Sequence, residues 1–129
     1  MKQILVVGLG RFGSSVALTL YKMGHEVLVM DKNSELVQEM ADSVTYAVQA
    51  DATDEAALRS VGIRNFDVAV IAIGNDLEAS ILATALIKEL GVKKVVAKAQ
   101  NDLHGKILEK VGADRVIYPE REMGVRLAK

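Results

Sequence analysis

Three glycines near the N-terminus have the spacing of a phosphate-binding loop. The segment VVGLGRFG carries Gly8, Gly10 and Gly13 as G-x-G-x-x-G, after an apolar run and before a helical pattern. The first glycine permits a tight turn, the second lets the backbone approach a pyrophosphate, and the third lets helix and strand pack closely. The N-terminus of the following helix offers free N–H groups and a positive dipole end to phosphate. In this context the loop predicts a nucleotide-binding site.

Two charged residues indicate which nucleotide the loop would accept. Asp31 ends the second apolar run, where a carboxylate accepts hydrogen bonds from ribose hydroxyls and repels a 2′-phosphate, so NADP is disfavoured. The alternative is that Asp31 only caps the next helix. Arg11 lies inside the glycine loop, where its planar guanidinium suits the oxygens of a terminal phosphate. The alternative for Arg11 is a solvated side chain on the first helical turn.

Two later strands also end in polar residues on the predicted ligand side of the sheet. The third ends in QADAT, where Asp51 and the backbone of Ala52 and Thr53 could hydrogen-bond the adenine edge. Capping of the next helix by Asp51 or Thr53 is compatible with that role. The fourth ends in IAIGND, where Gly74 lets the chain pass near the ligand and Asn75 could reach the phosphates or the second ribose. A helix N-cap at Asn75 or the next residue is the alternative.

The sequence lacks the acid–base and nucleophile patterns that a reaction at this site would need. It has no Tyr-x-x-x-Lys pair, no Gly-x-Ser-x-Gly elbow and no cluster of His or Cys for a metal. Of the two histidines, His25 falls in a turn on the opposite side of the sheet, and His104 is expected to be exposed on a helix. No substrate domain follows, so the residues favour binding over catalysis.

Composition excludes several classes of partner. The chain has 129 residues, a net charge of −1 and no cysteine. The lack of a basic surplus argues against nucleic acid, and the lack of cysteine excludes disulfides and thiol chemistry. No apolar run approaches the roughly 20 residues of a membrane-spanning helix, and the N-terminus lacks the features of a signal peptide. We expect a cytoplasmic domain without direct membrane insertion, whose membrane role would come through a partner.

Strand-like and helix-like segments alternate along the chain, and this alternation positions the candidate residues. It predicts a parallel, doubly wound α/β sheet of six strands with helices on both faces. The predicted strands are 3–7, 26–30, 45–49, 67–73, 94–97 and 115–118. The predicted helices are 12–23, 34–41, 54–61, 77–90 and 103–111.

Two of these helices have predicted inward faces. In helix 12–23 the inward residues are expected to be Phe12, Val16, Leu20 and Met23. In helix 77–90 they are expected to be Ile81, Leu82, Ala85, Leu86 and Leu90, with further apolar surface at Ala79, Ala83 and Ile87. A helix that is apolar nearly all round is either deeply buried or part of an interface, so a broad core face and self-association both stay open.

The last residues follow Pro119, the only proline in the chain. The segment EREMGVRLAK begins a helical pattern and then stops, which leaves Met123, Val125 and Leu127 little room to find partners. A natural C-terminal helix is one explanation. We expect instead the start of a helix that is cut off from a longer chain.

Taken together, these segments resemble the nucleotide-binding lobe of the KTN/RCK family, the cytoplasmic gating subunits and domains of bacterial potassium transporters and channels. The resemblance rests on VVGLGRFG, MGHEVLVMD, ADAT, LRSVGI, DVAVIAIG, VVAKAQN and LEKVGADRVIYPE, which cover nearly the whole chain. It is strongest to the separate regulatory subunit of Ktr-type potassium uptake systems. It implies a Rossmann-like N-terminal lobe over 1–118, the start of a crossover helix over 119–129, and a C-terminal lobe that this sequence lacks.

The resemblance implies several further properties. Such lobes dimerise, assemble into rings, commonly octameric, beneath a membrane-embedded potassium transporter, and bind ATP, ADP, NAD⁺ or NADH without turnover. In ATP-responsive members the arginine that matches Arg11 contacts the γ-phosphate, and the residues that match Lys98 and Glu120 lie near the inter-subunit interface. The acid that matches Glu120 takes part in binding a divalent cation, Mg²⁺ or Ca²⁺, beside ATP.

With the motifs above, the candidate nucleotide-binding residues are Gly8, Gly10, Arg11, Phe12, Gly13, Asp31, Lys32, Asn33, Asp51, Ala52, Thr53, Ile73, Gly74, Asn75, Lys98 and Glu120. Three functions stay open. The first is a nucleotide-sensing regulatory module. The second is the N-terminal fragment of an NAD-dependent oxidoreductase, which the glycine loop and Asp31 would also suit. The third is a scaffold with a vestigial pocket.

Overall fold

A six-stranded parallel sheet forms the centre of the computed structural model, which describes residues 1–121. The strands are β1 (Gln3–Val7), β2 (Glu26–Asp31), β3 (Tyr46–Gln49), β4 (Val68–Ile71), β5 (Lys94–Lys98) and β6 (Arg115–Ile117). The helices are α1 (Arg11–Lys22), α2 (Ser34–Met40), α3 (Glu55–Ser60), α4 (Leu77–Glu89) and α5 (Asp102–Lys110), and a 3₁₀ turn (Ile63–Asn65) follows α3. The predicted α/β fold with six strands is confirmed.

The order of the strands across the sheet is β3-β2-β1-β4-β5-β6. The chain therefore builds outward from β1 to β3, then crosses back to place β4 on the other side of β1. β1 and β4 are direct neighbours, with Leu5 opposite Ala69 and Val6 opposite Val70. In such sheets the ligand crevice forms at this reversal, outside the carboxyl ends of the strands.

Each face of the sheet has its own core. Leu5, Val7 and Met30 pack with residues of α3, α4 and α5, whereas Val6 and Val29 pack with residues of α1 and α2. Because successive side chains of a strand point to opposite faces, a strand covered on both faces must be apolar throughout. β4 follows this rule, which explains why the sequence from position 67 to 73 reads as one apolar run.

Asparagine and aspartate side chains begin four of the helices. Asn33 caps α2, Asp54 caps α3, Asp76 caps α4 and Asn101 caps α5, and each side chain accepts a hydrogen bond from a backbone N–H of the first turn. These contacts satisfy donors that the helix itself leaves free. The cap of α2 is therefore Asn33 and not Asp31.

The predicted inward face of α4 is confirmed in part: Leu90 is buried, and Ile81 and Leu86 pack against the core. Ser80, Ala83, Thr84 and Ile87 are also buried, whereas Leu82 keeps 48% of its surface exposed. The prediction missed Ser80 and Thr84 because it counted only apolar side chains. Small residues bring α4 close to the sheet, and their hydroxyls are satisfied within the helix: Ser80 Oγ donates to the Leu77 carbonyl at 2.9 Å and Thr84 Oγ1 to the Ser80 carbonyl at 2.8 Å.

The inward face of α1 is also shorter than predicted. Phe12, Val16 and Leu20 pack against the core of their face, as expected. Met23 lies just beyond the end of the helix and is exposed. The helix stops at Lys22 because Gly24, with φ +95°, turns the chain toward β2.

His104 is buried, with 3% of its surface exposed, so the expectation that it lies exposed on a helix is wrong. Its Nδ1 accepts a hydrogen bond from the Gln100 N–H at 3.1 Å, and its Nε2 lies 2.7 Å from Ser80 Oγ. The contact at Nδ1 assigns the proton to Nε2, which then donates to Ser80. Burial lowers the pKa of His104 and favours this neutral form.

Helical backbone begins again at residues 119–121, directly after β6 and its following tyrosine. The predictions for Met123, Val125 and Leu127 concern positions outside the described residues. Within residues 1–121 no helix is both long and apolar enough to cross a membrane.

Candidate functional site

A cleft of about 860 Å³ opens where β1, β2 and β4 end, beside the reversal in strand order. This volume falls in the range of roughly 300–1,000 Å³ that is typical of ligand sites. Most of the candidate residues line it: Gly8, Gly10, Arg11, Phe12, Asp31, Lys32, Asp51, Ala52, Ile73, Gly74, Asn75, Lys98 and Glu120. Gly13, Asn33 and Thr53 lie outside the lining and support residues that belong to it.

Two glycines of the loop are required by the fold itself. Gly8 has φ +96°, and a Cβ there would lie 2.9 Å from the backbone of Ala72 and Ile73 on β4's extension. A Cβ on Gly13 would collide with the carbonyl of Gly8. The tight turn and the close helix–strand approach predicted for these two positions therefore have direct packing causes.

Gly10 is different, because none of the described residues requires a glycine there. It has an ordinary φ of −68°, and a Cβ at this position would meet no atom of residues 1–121 within 4 Å. Gly10 lines the cleft and is the N-cap of α1. A side chain at this point would occupy space beside the helix N-terminus that is otherwise open to a ligand.

Within residues 1–121 no side chain caps the N-terminus of α1. Gly10 cannot provide a cap, and the first turn contains no acidic residue, whereas α2 to α5 all begin with an Asn or Asp cap. The first N–H groups of α1 are thus left for another acceptor, and the helix dipole favours a negative one. An anion in the cleft is the partner that this geometry suits.

Asp31 holds the glycine loop in place. Its Oδ2 accepts a hydrogen bond from the Leu9 N–H at 2.7 Å, and its Oδ1 accepts one from the Asn33 N–H at 2.8 Å. Each carboxylate oxygen keeps capacity for a second donor, so a ribose hydroxyl could be added without loss of these bonds. The sequence did not reveal the contact with Leu9, because it depends on the distance between two loops.

Asp51 is kept ionised by its neighbour Thr53. The side-chain hydroxyl and the backbone N–H of Thr53 both donate to Asp51 Oδ1, at 2.6 and 2.9 Å. These hydrogen bonds, with a contribution from the charge of Lys32, lower the pKa of the Asp51 carboxyl. Within residues 1–121 no N–H or hydroxyl donates to Oδ2, so the carboxylate presents an acceptor to the cleft.

Lys98 and Glu120 face each other at the rim of the cleft. Lys98 Nζ lies 3.8 Å from Glu120 Oε1, with the lysine side chain 13% exposed and the glutamate 85% exposed. Gly74 lies beside the lysine, since a Cβ there would be 3.5 Å from Lys98 Nζ. The pair brings the end of β5 and the segment after β6 to the same cleft.

Clustered metal ligands are missing from the part of the chain that the structure describes. No group of three or more His, Cys, Asp or Glu is arranged there to hold a metal ion. Neither histidine lines the cleft: His25 accepts a hydrogen bond from the Lys2 N–H near the start of β1, and His104 is buried between α4 and α5.

Sequence reasoning did not single out the apolar walls of the cleft. Leu36, Ala50, Ala72 and Ala79 line it together with the candidate residues. The available signal was proximity, because each lies within a few positions of a strand end that carries a motif. Such residues have no chemistry of their own, and only the folded geometry shows that they enclose the site.

Comparison with known proteins gives a consistent result. The family model for the TrkA-N domain matches residues 4–119. "Ktr system potassium uptake protein A" of Bacillus subtilis (strain 168) is 52% identical over 128 residues, which are 99% of this chain and 58% of the relative. "Ktr system potassium uptake protein C" of the same organism is 48% identical over 127 residues, 98% of this chain and 58% of the relative. The chain thus spans 58% of the length of these curated relatives.

Solved structures share the fold. The TrkA-N domain of the inner membrane protein ybaL from Escherichia coli has a TM-score of 0.88 at 21% identity, covering 98% of this chain and 94% of that one. The GsuK channel bound to NAD has a TM-score of 0.79 at 16% identity, covering 90% of this chain and 21% of that one. GsuK bound to ADP has a TM-score of 0.83 at 17% identity, covering 95% of this chain and 32% of that one.

Proposed function

The chain belongs to the TrkA-N domain family, and on that premise we propose that it is the nucleotide-sensing lobe of a cytoplasmic regulatory subunit that gates a potassium transporter or channel. It binds ATP, ADP, NAD⁺ or NADH without turnover. The names of the relatives, both potassium uptake proteins, support this function. We assign residues 1–118 to this lobe.

The single observation that carries nucleotide binding is the open N-terminus of α1 at Gly10. At this point of the cleft, no side chain of residues 1–121 caps the helix, and packing among these residues does not explain the glycine. Asp31 fixes the loop through its hydrogen bond with the Leu9 N–H. These features suit a pyrophosphate on the helix with a ribose near Asp31.

The charges of the residues that line the cleft indicate that ATP would bind together with an additional cation. Among residues 1–121 three cations line the cleft, Arg11, Lys32 and Lys98, and four carboxylates do, at positions 31, 51, 76 and 120, which gives the described lining a net charge of −1. A triphosphate adds further negative charge, which a divalent cation or a second subunit's arginine would offset. We assign Mg²⁺ or Ca²⁺ binding to Glu120 in the ATP complex.

Asp51 supports adenine as the base. An ionised carboxylate accepts hydrogen bonds but cannot donate them. The exocyclic amino group of adenine is a donor. Asp51 Oδ2 can therefore accept a hydrogen bond from the amino group of an adenine nucleotide.

Self-association and a membrane-embedded transporter partner complete the proposal. Three leucines of α4 and α5 are exposed, Leu77, Leu82 and Leu103, the last with 69% of its surface exposed. Exposed apolar side chains on neighbouring helices favour contact with another protein surface. We assign this face to a dimer contact between copies of the chain, within a ring such as the octamer that the family resemblance implies.

Isothermal titration calorimetry with ATP, ADP, NAD⁺ and NADH, with and without Mg²⁺ or Ca²⁺, tests the proposal. Tight ATP and ADP binding with a cation effect for ATP alone is the expected result. Binding of NADH followed by loss of its nicotinamide absorbance with a carbonyl substrate would favour the oxidoreductase instead. If no nucleotide raises the unfolding temperature, the cleft is vestigial, because a ligand of the folded state must stabilise it.

A further inference from the structure

A second, smaller pocket lies at the amino-terminal ends of the strands, opposite the end of the sheet that carries the cleft. It has a volume of about 200 Å³ and forms where β1, β2 and β3 begin, beside the segment that joins α3 to β4. The nucleotide cleft lies where the same strands end. The length of the sheet separates the two cavities, so an occupant of the small pocket does not compete with one in the cleft.

The strand register explains what lines this pocket. Gln3 is the neighbour of Glu26 across β1 and β2, and Leu28 is the neighbour of Tyr46 across β2 and β3. Because alternate residues of a strand share a face, all four side chains project from the same side of the sheet. Phe66 also lines the pocket. The lining thus combines apolar side chains with the polar side chains of Gln3 and Glu26.

Glu26 is the one charged residue among those that line the pocket, all of which lie in the described part of the chain. Its Oε2 accepts a hydrogen bond from Gln3 Nε2 at 3.1 Å. Within residues 1–121 no group donates to its Oε1, and Glu26 takes part in no ion pair there. A carboxylate accepts and cannot donate, so the group that complements it is a cationic donor.

The neighbouring side chains suit a flat cation on an aliphatic stem. Tyr46 keeps 67% of its surface exposed at the rim, and Phe66 and Val61 contribute apolar surface. Guanidinium groups stack on aromatic rings and pair with carboxylates through two N–H groups, which an ammonium group cannot do. The chemistry therefore favours a guanidinium over an ammonium.

The size of the pocket indicates the source of that cation. A volume of about 200 Å³ is below the roughly 300–1,000 Å³ of typical small-molecule sites, but it matches one anchoring side chain. Arginine is also one of the residues that most often anchor protein interfaces. We propose that this pocket receives an arginine side chain of a protein partner, with its guanidinium on Glu26, its stem on Leu28 and Phe66, and Tyr46 stacked on its outer side.

The test uses ¹⁵N–¹H NMR of the chain titrated with N-acetyl-arginine-amide. The expected result is a shift of the backbone amides of Gln3, Thr45 and Tyr46 with a dissociation constant of about 1–10 mM, as suits a single side chain. The neutral isostere N-acetyl-citrulline-amide should bind at least about tenfold more weakly, because it lacks the charge that pairs with Glu26. Equal binding of the two compounds, or no shift at these amides up to about 50 mM arginine compound, would overturn the proposal.

Matched variants locate the contact. Glu26→Gln should weaken binding at least about tenfold, whereas Glu39→Gln removes an exposed carboxylate outside the pocket and should leave binding unchanged. If Glu26→Gln does not fold, Tyr46→Ser replaces an exposed side chain and should weaken binding about threefold or more. Unchanged binding in the folded pocket variant contradicts the assignment.

A titration with agmatine distinguishes a free cation from a protein side chain. A dissociation constant below about 10 µM for agmatine would identify a free organic cation as the occupant and overturn the proposal of a partner's arginine. These outcomes do not depend on nucleotide binding.

Discussion

Gly10 differs from the other two glycines of its loop because the protein has no need of glycine there. Gly8 and Gly13 are fixed by backbone contacts and, for Gly8, by a positive φ. Gly10 meets open space in the cleft. Because packing does not explain a glycine at position 10, Gly10 is the residue that most strongly indicates a ligand in the cleft.

Two alanine substitutions separate these roles. Gly10→Ala should lower the free energy of unfolding by at most about 1 kcal/mol, since alanine is a poorer N-cap than glycine. It should weaken nucleotide binding at least about tenfold, because its Cβ lies where phosphate approaches. Gly8→Ala should lower the free energy of unfolding by about 1–3 kcal/mol, since its backbone is strained for any Cβ. Thermal unfolding and calorimetry measure both. Gly10→Ala with unchanged ATP and NADH affinity would argue against a ligand at the α1 N-terminus.

Arg11 lines the cleft from the first turn of α1 and is exposed. If its guanidinium serves a terminal phosphate, Arg11→Ala should weaken ATP about tenfold or more and ADP much less. Calorimetry with both nucleotides provides the measurement, and Lys22→Ala, at the far end of the same helix, is the control. Equal losses for ATP and ADP would remove Arg11 from γ-phosphate recognition.

At the scale of the element, α4 and α5 are joined by polar contacts inside an otherwise apolar layer. Ser80 and His104 share a buried hydrogen bond, and the Gln100 N–H completes the chain of contacts. The apolar pattern of the sequence could not reveal this hydrogen bond, because Ser80 and His104 belong to different helices. Taken singly, each is a polar residue at a buried position without an evident partner. Buried polar groups are tolerated when they are paired in this way.

This pair makes stability depend on pH. The pKa of His104 is lowered in the folded chain, so above about pH 6.5 the imidazole is neutral in both folded and unfolded states. As the pH falls below that value the unfolded state binds the proton first, and the free energy of unfolding decreases by at most about 1.4 kcal/mol per pH unit. Urea unfolding of the wild type and His104→Gln between pH 8 and pH 5 measures this. The variant should have a shallower loss on the acid side, and parallel curves would contradict the linkage.

At the scale of the whole molecule, one sheet separates two sites and two helical layers. The nucleotide cleft is at the carboxyl ends of the strands and the arginine pocket is at their start. The exposed leucines of α4 and α5 lie on one helical layer, while α1 and α2 form the other. Ligand, partner and second copy can therefore act on different surfaces of one lobe.

The proposed dimer face can be tested with charged substitutions. Leu82→Glu and Leu103→Glu should each weaken self-association about tenfold or more, because a carboxylate would lose hydration in the contact. Tyr21→Glu is the matched control, since Tyr21 is an exposed apolar residue of α1 on the other layer. Sedimentation equilibrium compares the variants. A dimer that survives both leucine substitutions would place the contact elsewhere.

The sequence by itself was sufficient for the fold class and for the location of the candidate residues. Alternation of apolar runs with helical patterns requires a parallel sheet, and parallel strands bring their carboxyl ends to one edge. The segments from Gly8, Asp31, Asp51 and Gly74 therefore had to converge, and these residues do line one cleft. The convergence of these motifs could be predicted from local sequence patterns, because each motif directly follows a strand.

The tertiary structure alone decided which partners the side chains have. The tertiary contacts of Asp31 with the Leu9 N–H, of Ser80 with His104 and of Gln3 with Glu26 each join residues from separate segments. The inward face of α4 was predicted only in part for the same reason: Leu90 is buried as expected, but Ser80 and Thr84 are buried and Leu82 is exposed. Periodicity reports which residues are apolar, but which of them are buried depends on the distance between elements, and that distance exists only in the folded chain.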